Sequence, residues 1–545
     1  MKFALYGMPC AGKTTLLNAI NTKLKVINGS SWLNEHTDNN FSNLTKDEQK
    51  KWRIKYTKYL SNISDEHIIS DGHYSFDNNV VFTKEDGEIY DVFFYLYCEP
   101  KTIIERIKQS EKNRKFANYN EIAITKWQNK EMEQLRYQCH KRNKDFYVIK
   151  ANEVTANSFI DFIDNIINCD FSSYKLAVNL VDKIRSWYPF PCELNIVDGD
   201  KTFINYDSFS VCSNNYKTKV FDGNFYTGYQ SYLFEKEVRS INFDYAKLNN
   251  CKINKLIWEK VCDKKFIILS SGITDIWDKL SKQFNIKNIL ANPYISADTK
   301  YYVGKLLHNL DYKIKAYGDS KNDLYLLKEA DEGYLYIGKY MSKSLVDTDI
   351  TGISILKNTE PYILEKEEKI EKLIEICKSS SGIHGAKLAE AHLELGKKLG
   401  NNLKNIFPNK NTAILVLERG GRFFGDGLYL SFEGKFYSYD EKKDPLPIID
   451  SNFIIIVDSV INTGKSILKL IEKLKNRNPK VQICVVSNVI QKEALEKFKD
   501  YFLFVVRVSE NKFIGKRQEK QIGNIGPDTG AVSYTHLTLP TILRV

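Results

Sequence analysis

MKFALYGMPCAGKTTLLNAI, residues 1–20, reads as a short apolar strand, a loop and an amphipathic helix in succession. The loop, residues 7–14, matches the spacing G-x-x-x-x-G-K-[ST]. At this spacing the glycines let backbone N–H groups turn towards phosphate oxygens at a helix N-terminus, and Lys13 adds a positive charge. The hydroxyl of Thr14 can bind Mg²⁺. We therefore predict a site for the phosphates of ATP or GTP, made by Gly7, Gly12, Lys13, Thr14 and Thr15.

Two further segments complete the first site. HIISDGHY, residues 67–74, ends an apolar strand at Asp71, where a carboxylate can hold a metal ion through water. ERIKQSEKNRK, residues 105–115, reads as a basic helix whose Arg106 and Arg114 could meet a transferring phosphate, although a solvated surface helix fits equally well. This part resembles the small P-loop nucleoside and nucleotide kinases. The resemblance implies catalytic roles for Lys13 and Asp71 and leaves the phosphate acceptor open.

The rest of the chain repeats the alternation of short β-rich runs and lysine-rich amphipathic stretches, which predicts an α/β fold with parallel sheets flanked by helices. A length of 545 residues favours three or four domains. We place a kinase-like domain at 1–170, a second domain at 171–357 and a third at 358–531. The charged stretch LEKEEKIEKLIEICKSSSG, residues 364–382, lies near the start of the third.

Composition excludes several classes of protein. With 43% hydrophobic and 27% charged residues and only 12 prolines, the chain is neither disordered nor fibrous. The 10 cysteines form no C-x-x-C pair, so we expect a reduced, cytoplasmic protein, and no apolar run is long enough to span a membrane. The formal net charge of +11 suits phosphate-bearing ligands. We expect small-molecule base or nucleotide substrates and no membrane partner; a homo-oligomer is compatible with the sequence.

LNIVDGDKTF, residues 194–203, carries two carboxylates at the end of an apolar strand. Strand alternation would send Asp198 and Asp200 the same way, out of the C-terminal edge of the sheet, where ligands bind in open α/β folds. Asp198 can then attack phosphorus while Asp200 protonates the leaving oxygen. Such an attack needs the phosphate charge to be neutralised.

Three later segments supply that neutralisation: FIILSSG (266–272) with Ser270, SADTKYY (296–302) with Lys300, and YGDSKND (317–323) with two acids for Mg²⁺. Together they resemble the haloacid dehalogenase superfamily, nearest to its phosphoserine-phosphatase-like members, over residues 176–356. The resemblance implies Asp198 as nucleophile and Asp200 as acid and base, with Lys305 as a competitor for the role of Lys300. The residues implied around the phosphate are Thr202, Ser270 and Lys300. Those assigned to the metal are Asp198, Asp200, Asp319 and Asp323, besides Thr14 in the first domain. A small, largely helical cap that includes FDGNFYTGYQSYLFEKEV, residues 221–238, would choose the substrate.

NFIIIVDSVINTGKSI, residues 452–467, reads as a buried strand, then Asp458, then a loop at 461–466 that leads into a helix. The loop N–H groups and hydroxyls form a nest for a 5′-phosphate, and Asp458 can hold ribose hydroxyls. The motif resembles the phosphoribosyl diphosphate loop of type I phosphoribosyltransferases. The residues assigned to this loop are Thr463, Gly464, Lys465 and Ser466.

Two flanking segments narrow the resemblance to uracil-type members. ILVLERGGRFFGDGL, residues 414–428, places Arg419, Gly420 and Gly421 on a pyrophosphate-binding loop. IGNIGPDTGA, residues 522–531, is similar to the loop that receives the base, and it contributes Gly526, Pro527, Asp528 and Thr529. Ser459 follows Asp458 where many type I enzymes have a second acid, which again favours the uracil type.

The last residues, 532–545, begin with VSYTHLTLPT, which resembles a translated sequencing adapter. We interpret them as an artefact, with a genuine terminal strand as the alternative. The functional prediction is a multifunctional enzyme of nucleotide salvage: a phosphoribosyltransferase that acts on uracil, a Mg²⁺-dependent phosphatase and an ATP-dependent kinase. Two alternatives stay open. One is a kinase-phosphatase that heals nucleic-acid ends, and the other is a kinase and phosphatase regulated by a domain that only senses phosphoribosyl diphosphate.

Overall fold

The computed structural model describes residues 1–510 except 22–23, 65–66, 77–78, 111–112, 114–115, 169–170, 339–341, 346–347, 358–360, 366, 379–380, 405–411, 419, 433, 452 and 480. Backbone contacts divide the chain into two compact units. The first comprises Met1–Tyr336 with Ile350–Ile355, and the second comprises Ile337–Asp349 and the residues from Leu356 onward. The three-domain division at 170/171 and 357/358 stays a prediction.

The first unit begins with a parallel five-stranded sheet of order β2-β3-β1-β6-β7 and a small β4-β5 hairpin. Its strands and helices are β1 (Lys2–Tyr6), α1 (Lys13–Ile20), β2 (Lys25–Ile27), α2 (Gly29–Glu35), α3 (Lys46–Ser61), β3 (Ile68–Asp71), β4 (Ser75–Phe76), β5 (Asn79–Val80), α4 (Lys84–Ile89), β6 (Val92–Tyr97), α5 (Pro100–Gln109), α6 (Glu121–Arg142), β7 (Asp145–Lys150) and α7 (Ala156–Asn168). The central strands are almost wholly apolar and buried, as expected of a sheet covered on both faces.

A six-stranded sheet of order β10-β9-β8-β11-β12-β13 follows. Its elements are α8 (Ser173–Trp187), β8 (Glu193–Val197), α9 (Ser208–Cys212), α10 (Gly228–Val238), α11 (Lys255–Val261), β9 (Phe266–Ser270), α12 (Thr274–Phe284), β10 (Ile289–Ala291), α13 (Ala297–His308), β11 (Lys313–Gly318), α14 (Leu324–Glu329), β12 (Glu332–Ile337) and β13 (Ser354–Lys357). Strands β8, β9 and β11 are parallel neighbours, so their carboxyl ends meet at one edge.

The helix α10 belongs to the segment expected to form the cap, and it packs against the first sheet. Gln230 Nε2 donates to the carbonyl oxygen of Val148 at 2.9 Å, and the Thr227 hydroxyl accepts from the Val148 N–H at 3.2 Å. The rings of Tyr229 and Phe162 are 4.8 Å apart. One face of this helix is therefore buried against β7 and α7.

The second unit contains a parallel six-stranded sheet of order β14-β19-β18-β17-β15-β16. Its elements are β14 (Tyr362–Ile363), α15 (Glu368–Cys377), α16 (Ala386–Lys404), β15 (Thr412–Leu417), α17 (Arg422–Ser431), β16 (Lys435–Tyr439), β17 (Phe453–Ile461), α18 (Lys465–Arg477), β18 (Gln482–Gln491) and β19 (Phe502–Ser509). The expectation that the strand ends before Asp458 is wrong. β17 continues to Ile461 because it stays paired with the long strand β18, opposite Ile490.

The predicted α/β class with parallel sheets flanked by helices is confirmed. Within the part of the chain that the structure describes, no helix is both long and apolar enough to cross a membrane.

Candidate active sites

The phosphate-binding loop follows β1, the central strand of the first sheet. Gly12 takes a left-handed backbone angle (φ 104°), and Lys13 Nζ donates to the carbonyl oxygens of Gly7 at 2.6 Å and Met8 at 3.0 Å. Burial lowers the pKa of Lys13 to about 8. Arg106 Nη1 donates to the Cys10 carbonyl oxygen at 3.1 Å, so the predicted basic helix does reach the loop.

The other residues predicted for this site make fewer contacts with the phosphate-binding loop in the described part of the chain. Asp71 ends β3 beside β1, and its Oδ1 accepts from the Gly29 N–H at 2.8 Å. Thr14 and Thr15 are exposed in the first turn of α1. Arg114 lies outside the described residues.

Sequence reasoning missed Glu131, which lies in α6 close enough to Lys13 to act on its charge. The Glu131 carboxylate accepts from the Ser75 hydroxyl and from the Tyr95 hydroxyl, both at 2.7 Å. Burial raises the pKa of Glu131. No motif marks this residue, because only the packing of α6 against β4 and β6 brings it to the loop.

The second site lies at the carboxyl ends of β8 and β11. Lys300, in the first turns of α13, places Nζ 2.5 Å from Asp198 Oδ1 and 2.6 Å from Asp323 Oδ1. The Lys300 side chain is 1% exposed. Lys305 instead donates to the carbonyl oxygen of His140 at 2.7 Å and so lies away from these acids. The geometry therefore selects Lys300 over its competitor.

Three carboxylates converge beside Lys300. One carboxylate oxygen from each of Asp198, Asp319 and Asp323 lies within 4.8 Å of the others. Burial, reinforced by the charge of Asp323, raises the pKa of Asp198 to about 7, and burial also raises the pKa of Asp319. A divalent cation fits this donor set, because oxygen ligands suit Mg²⁺ and its charge would offset the repulsion between the acids.

The carboxylate of Asp200 is not oriented by the alternation of side chains along a strand, as the sequence predicts, because Asp200 lies beyond the end of β8. β8 ends at Val197, and the following turn includes Lys201 in a left-handed conformation (φ 58°). The Ser208 N–H, at the start of α9, donates to Asp200 Oδ1 at 2.7 Å. Burial, together with the charge of Asp207, raises the pKa of Asp200 to about 6. The turn and α9, and not the pleat of the strand, orient this carboxylate.

Two hydroxyl groups lie in the same region. Thr202 is fully buried, and no described residue hydrogen-bonds its hydroxyl. Ser270 ends β9, and its Oγ accepts from the Gly272 N–H at 3.0 Å. A Cβ on Gly199 would lie 2.6 Å from that Oγ, so Ser270 stands directly beside the loop that carries the two acids. An unpaired buried hydroxyl is a feature that an incoming phosphate oxygen would satisfy.

The site of the second unit centres on Asp458 in β17. Burial raises the pKa of Asp458 to about 7. A Cβ on Gly420 would lie 2.6 Å from Asp458 Oδ1, and a Cβ on Gly421 would lie 2.8 Å from the carbonyl oxygen of Val457. Both glycines therefore allow the turn after β15 to approach β17 closely. Gly464 takes a left-handed angle (φ 73°) and caps the N-terminus of α18.

The remaining residues predicted for this unit are either exposed or outside the described residues. Thr463, Lys465 and Ser466 are exposed, the last two in the first turn of α18. The predicted residues that lie outside the described part of the chain are Arg419, Gly526, Pro527, Asp528 and Thr529. Residues 532–545, which we interpret as an artefact, also lie outside it. Sequence reasoning missed His392 in α16, whose Nδ1 lies 3.4 Å from the Ser459 hydroxyl; burial lowers the pKa of His392 to about 4.

Two family models match parts of the chain. The AAA domain matches residues 6–123, and the phosphoribosyl transferase domain matches residues 389–517. The first covers the phosphate-binding loop with β3 and α5, and the second covers β15 to β19. These matches indicate an enzyme with transferase activity that handles nucleotides.

Solved structures similar to parts of the chain include deoxyadenosine kinase from M. mycoides, at 24% identity, covering 31% of this chain and 99% of that one, with a TM-score of 0.22. Xanthine-guanine-hypoxanthine phosphoribosyltransferase from Helicobacter pylori has 20% identity, coverages of 22% and 86%, and a TM-score of 0.19. A HAD family hydrolase from Salmonella enterica serovar Typhi has 16% identity, coverages of 27% and 64%, and a TM-score of 0.20. No curated protein matches the sequence.

Proposed function

We propose that the chain is a multifunctional enzyme of nucleotide metabolism, and that the site around Asp198 hydrolyses phosphomonoesters. One observation carries the second part: the Lys300 ammonium lies between Asp198 and Asp323, at 2.5 and 2.6 Å. A carboxylate repels a phosphate dianion, so a nucleophilic aspartate needs a fixed cation at the place where the two meet. Lys300 is that cation.

The reaction proceeds in two steps through Asp198. Its carboxylate oxygen attacks phosphorus, the ester oxygen leaves, and Asp200 gives that oxygen a proton. Water then attacks the aspartyl phosphate, Asp200 takes a proton from it, and inorganic phosphate is released with Asp198 restored. The raised pKa of Asp200, about 6, suits a group that both gives and takes a proton near neutral pH. Mg²⁺ bound by Asp198, Asp319 and Asp323 would neutralise phosphate charge.

The test for this activity is hydrolysis of p-nitrophenyl phosphate and of a panel of nucleoside monophosphates in the presence of Mg²⁺. Asp198→Asn should abolish turnover, whereas Asp275→Asn, an exposed acid in the first turn of α12, should leave it unchanged. Equal activity in Asp198→Asn and the unaltered protein would reject the assignment.

The second unit is proposed to transfer a phosphoribosyl group from phosphoribosyl diphosphate to a base, with uracil as the base. Support comes from the match of the phosphoribosyl transferase domain to residues 389–517 and from Asp458 in β17, which lies beside Gly420 in the turn after β15. Asp458 would hold the ribose hydroxyls while N–H groups at Gly464 hold the 5′-phosphate.

Supplying uracil with phosphoribosyl diphosphate and following UMP and pyrophosphate tests this transfer, with Asp458→Ala as the control. Turnover with a purine and none with uracil would overturn the choice of base. Binding of phosphoribosyl diphosphate without any release of pyrophosphate, across a panel of bases, would support the alternative of a sensor domain.

The phosphate-binding loop is proposed to use ATP as a phosphate donor. A kinase and a phosphatase that act on one nucleoside would cancel each other and consume ATP, so their substrates should differ. Nucleic-acid end healing is the alternative, because its two activities act on opposite sides of a break. Transfer of labelled γ-phosphate to a 5′-hydroxyl oligonucleotide would support end healing, and transfer to nucleosides or nucleotides alone would reject it.

A further inference from the structure

The helix α6 extends from the phosphate-binding loop to the elements that carry the phosphatase chemistry. Near its middle, Glu131 lies beside the loop, as described above. About one and a half turns later Arg136 faces α14, and about one turn after that His140 faces α13. One helix of the kinase-like part therefore lies beside the phosphate-binding loop and also contacts the two helices that carry or follow Lys300 and Asp323.

The Arg136 guanidinium joins three segments. Its Nη1 donates to the Tyr325 hydroxyl at 2.8 Å, and its Nη2 donates to the carbonyl oxygen of Phe225 at 2.9 Å. Its Nε pairs with Asp298 Oδ1 at 3.2 Å. The Arg136 side chain is 6% exposed and that of Asp298 is 2% exposed, so water screens this pair little.

Two of the three partners of Arg136, Asp298 and Tyr325, stand two residues away from Lys300 and Asp323 in the chain. Asp298 precedes Lys300 in α13, and a separation of two residues turns a helical side chain through about 200°. Asp298 therefore faces α6 while Lys300 faces the acids. Tyr325 follows Asp323 in the same way at the start of α14. Arg136 thus holds the outer face of the two turns whose inner faces supply Lys300 and Asp323.

Neighbouring groups on α6 fix the same two turns. His140 Nε2 lies 2.7 Å from Asp298 Oδ1, and the Tyr325 hydroxyl donates to the Glu133 carboxylate at 2.8 Å. The residues Glu133, Arg136 and His140 recur at helical spacing and form one stripe. These three side chains contact residues near Lys300 and Asp323 in the chain, as the residues behind a metal site do when they hold its ligands in place.

We propose that Arg136 is a positioning residue of the phosphatase site, supplied by the kinase-like part of the chain. It fixes α13 and α14 so that Lys300 Nζ and the carboxylate of Asp323 meet Asp198. The inference rests on the phosphatase function proposed above. It adds that this site depends on a helix outside its own sheet.

The test compares Arg136→Met with the unaltered full-length chain by two readouts: Mn²⁺ affinity without nucleotide, and kinetics with p-nitrophenyl phosphate. Losing such a support should raise the Mn²⁺ Kd and lower kcat by about 10- to 100-fold, with KM changed less than kcat. Arg136→Lys keeps the charge but cannot bridge three partners, so it should be intermediate. A loss of folded protein would lower kcat without changing the Mn²⁺ Kd of the remainder.

Two control variants distinguish the positioning role of Arg136 from the phosphatase function on which it rests. Arg142→Met alters the same residue type on α6, but Arg142 contacts Glu88 and Gln138, so both readouts should stay as in the unaltered protein. Asp198→Asn should abolish the Mn²⁺ signal and so identify the site. Unchanged Mn²⁺ affinity and kcat in Arg136→Met would overturn the inference while leaving the phosphatase function standing.

The inference can still be tested if Arg136→Met does not fold, or if the unaltered chain has no phosphatase activity. If Arg136→Met does not fold, Tyr325→Phe removes the hydroxyl that links Arg136 and Glu133 at little cost in volume and should weaken Mn²⁺ binding by about threefold. A Tyr325→Phe variant identical to the unaltered chain would then overturn the inference. An unaltered chain that neither binds Mn²⁺ at Asp198 nor hydrolyses the ester would reject the phosphatase function, and the inference with it.

Discussion

The candidate site around Asp198 follows the carboxyl end of β8, whereas the candidate site around Asp458 lies within β17, and the two would hold phosphate by different means. In the first, buried side chains already contact one another, as Lys300 does with Asp198 and Asp323. In the second, the half-buried Asp458 stands beside the glycine-bearing turn after β15, and the hydroxyls assigned to phosphate are exposed.

The difference follows from the chemistry proposed for each. A nucleophilic carboxylate must be held beside a cation before substrate arrives, because two like charges will not approach otherwise. A backbone nest needs only N–H groups aimed at one point, and glycine geometry secures that without side-chain contacts. Substitutions should therefore cost much more in the first site than at the hydroxyls of the second.

Lys300→Met should have the largest effect. It leaves Asp198 and Asp323 without their shared cation, and breaking a buried pair in this way costs about 3–5 kcal/mol of unfolding free energy. Removing one electrostatic stabiliser should also lower phosphatase kcat by about 100- to 1,000-fold. Urea unfolding and p-nitrophenyl phosphate kinetics measure the two effects. Lys305→Met, on the same helix, is the matched control, and equal losses in both variants would contradict the role of Lys300.

Asp458→Asn should change stability in a pH-dependent way. The folded pKa of Asp458, about 7, lies above its ordinary value of 3.8, so folding favours the protonated acid. The stability that this group contributes is complete below pH 3.8 and is lost as pH rises through 7. The variant should therefore be more stable than the unaltered protein at pH 8, by a margin that is smaller at pH 5.5. Urea midpoints at both values check this, and a margin independent of pH would contradict it.

Ser466→Ala should have the smallest effect. Its hydroxyl is exposed, and the N–H groups after Gly464 remain in place, so phosphoribosyl diphosphate affinity should fall by only about 3- to 10-fold, the value of one hydrogen bond. Isothermal titration measures it. Gly464→Ala is the informative partner, since a Cβ there would lie 2.6 Å from the Phe498 ring at a left-handed angle, and it should weaken binding more. The reverse order would contradict a backbone nest.

The sequence predicts the class of fold, the placement of Lys13 at the end of the glycine loop and the strand-end placement of Asp71, Asp198 and Ser270, because glycine loops and apolar strands are local signals. It does not predict that α10 packs on β7, that Glu131 lies beside the phosphate-binding loop or that Arg136 contacts Asp298 and Tyr325, because those contacts depend on how a helix packs against distant elements. Nor does it predict that β17 extends past Asp458, because the end of a strand depends on the neighbouring strand. Arg419 and the base loop at 522–531 stay predictions.

The most direct test of the proposed phosphatase chemistry is to look for phosphate on Asp198. Asp200→Asn removes the base that would activate water, while p-nitrophenyl phosphate needs little help from an acid to leave. Acid quenching followed by peptide mass spectrometry should then find one phosphoryl group on the peptide that contains Asp198, and none in Asp198→Asn. Efficient hydrolysis in Asp198→Asn, with no phosphorylated peptide in Asp200→Asn, would contradict the account.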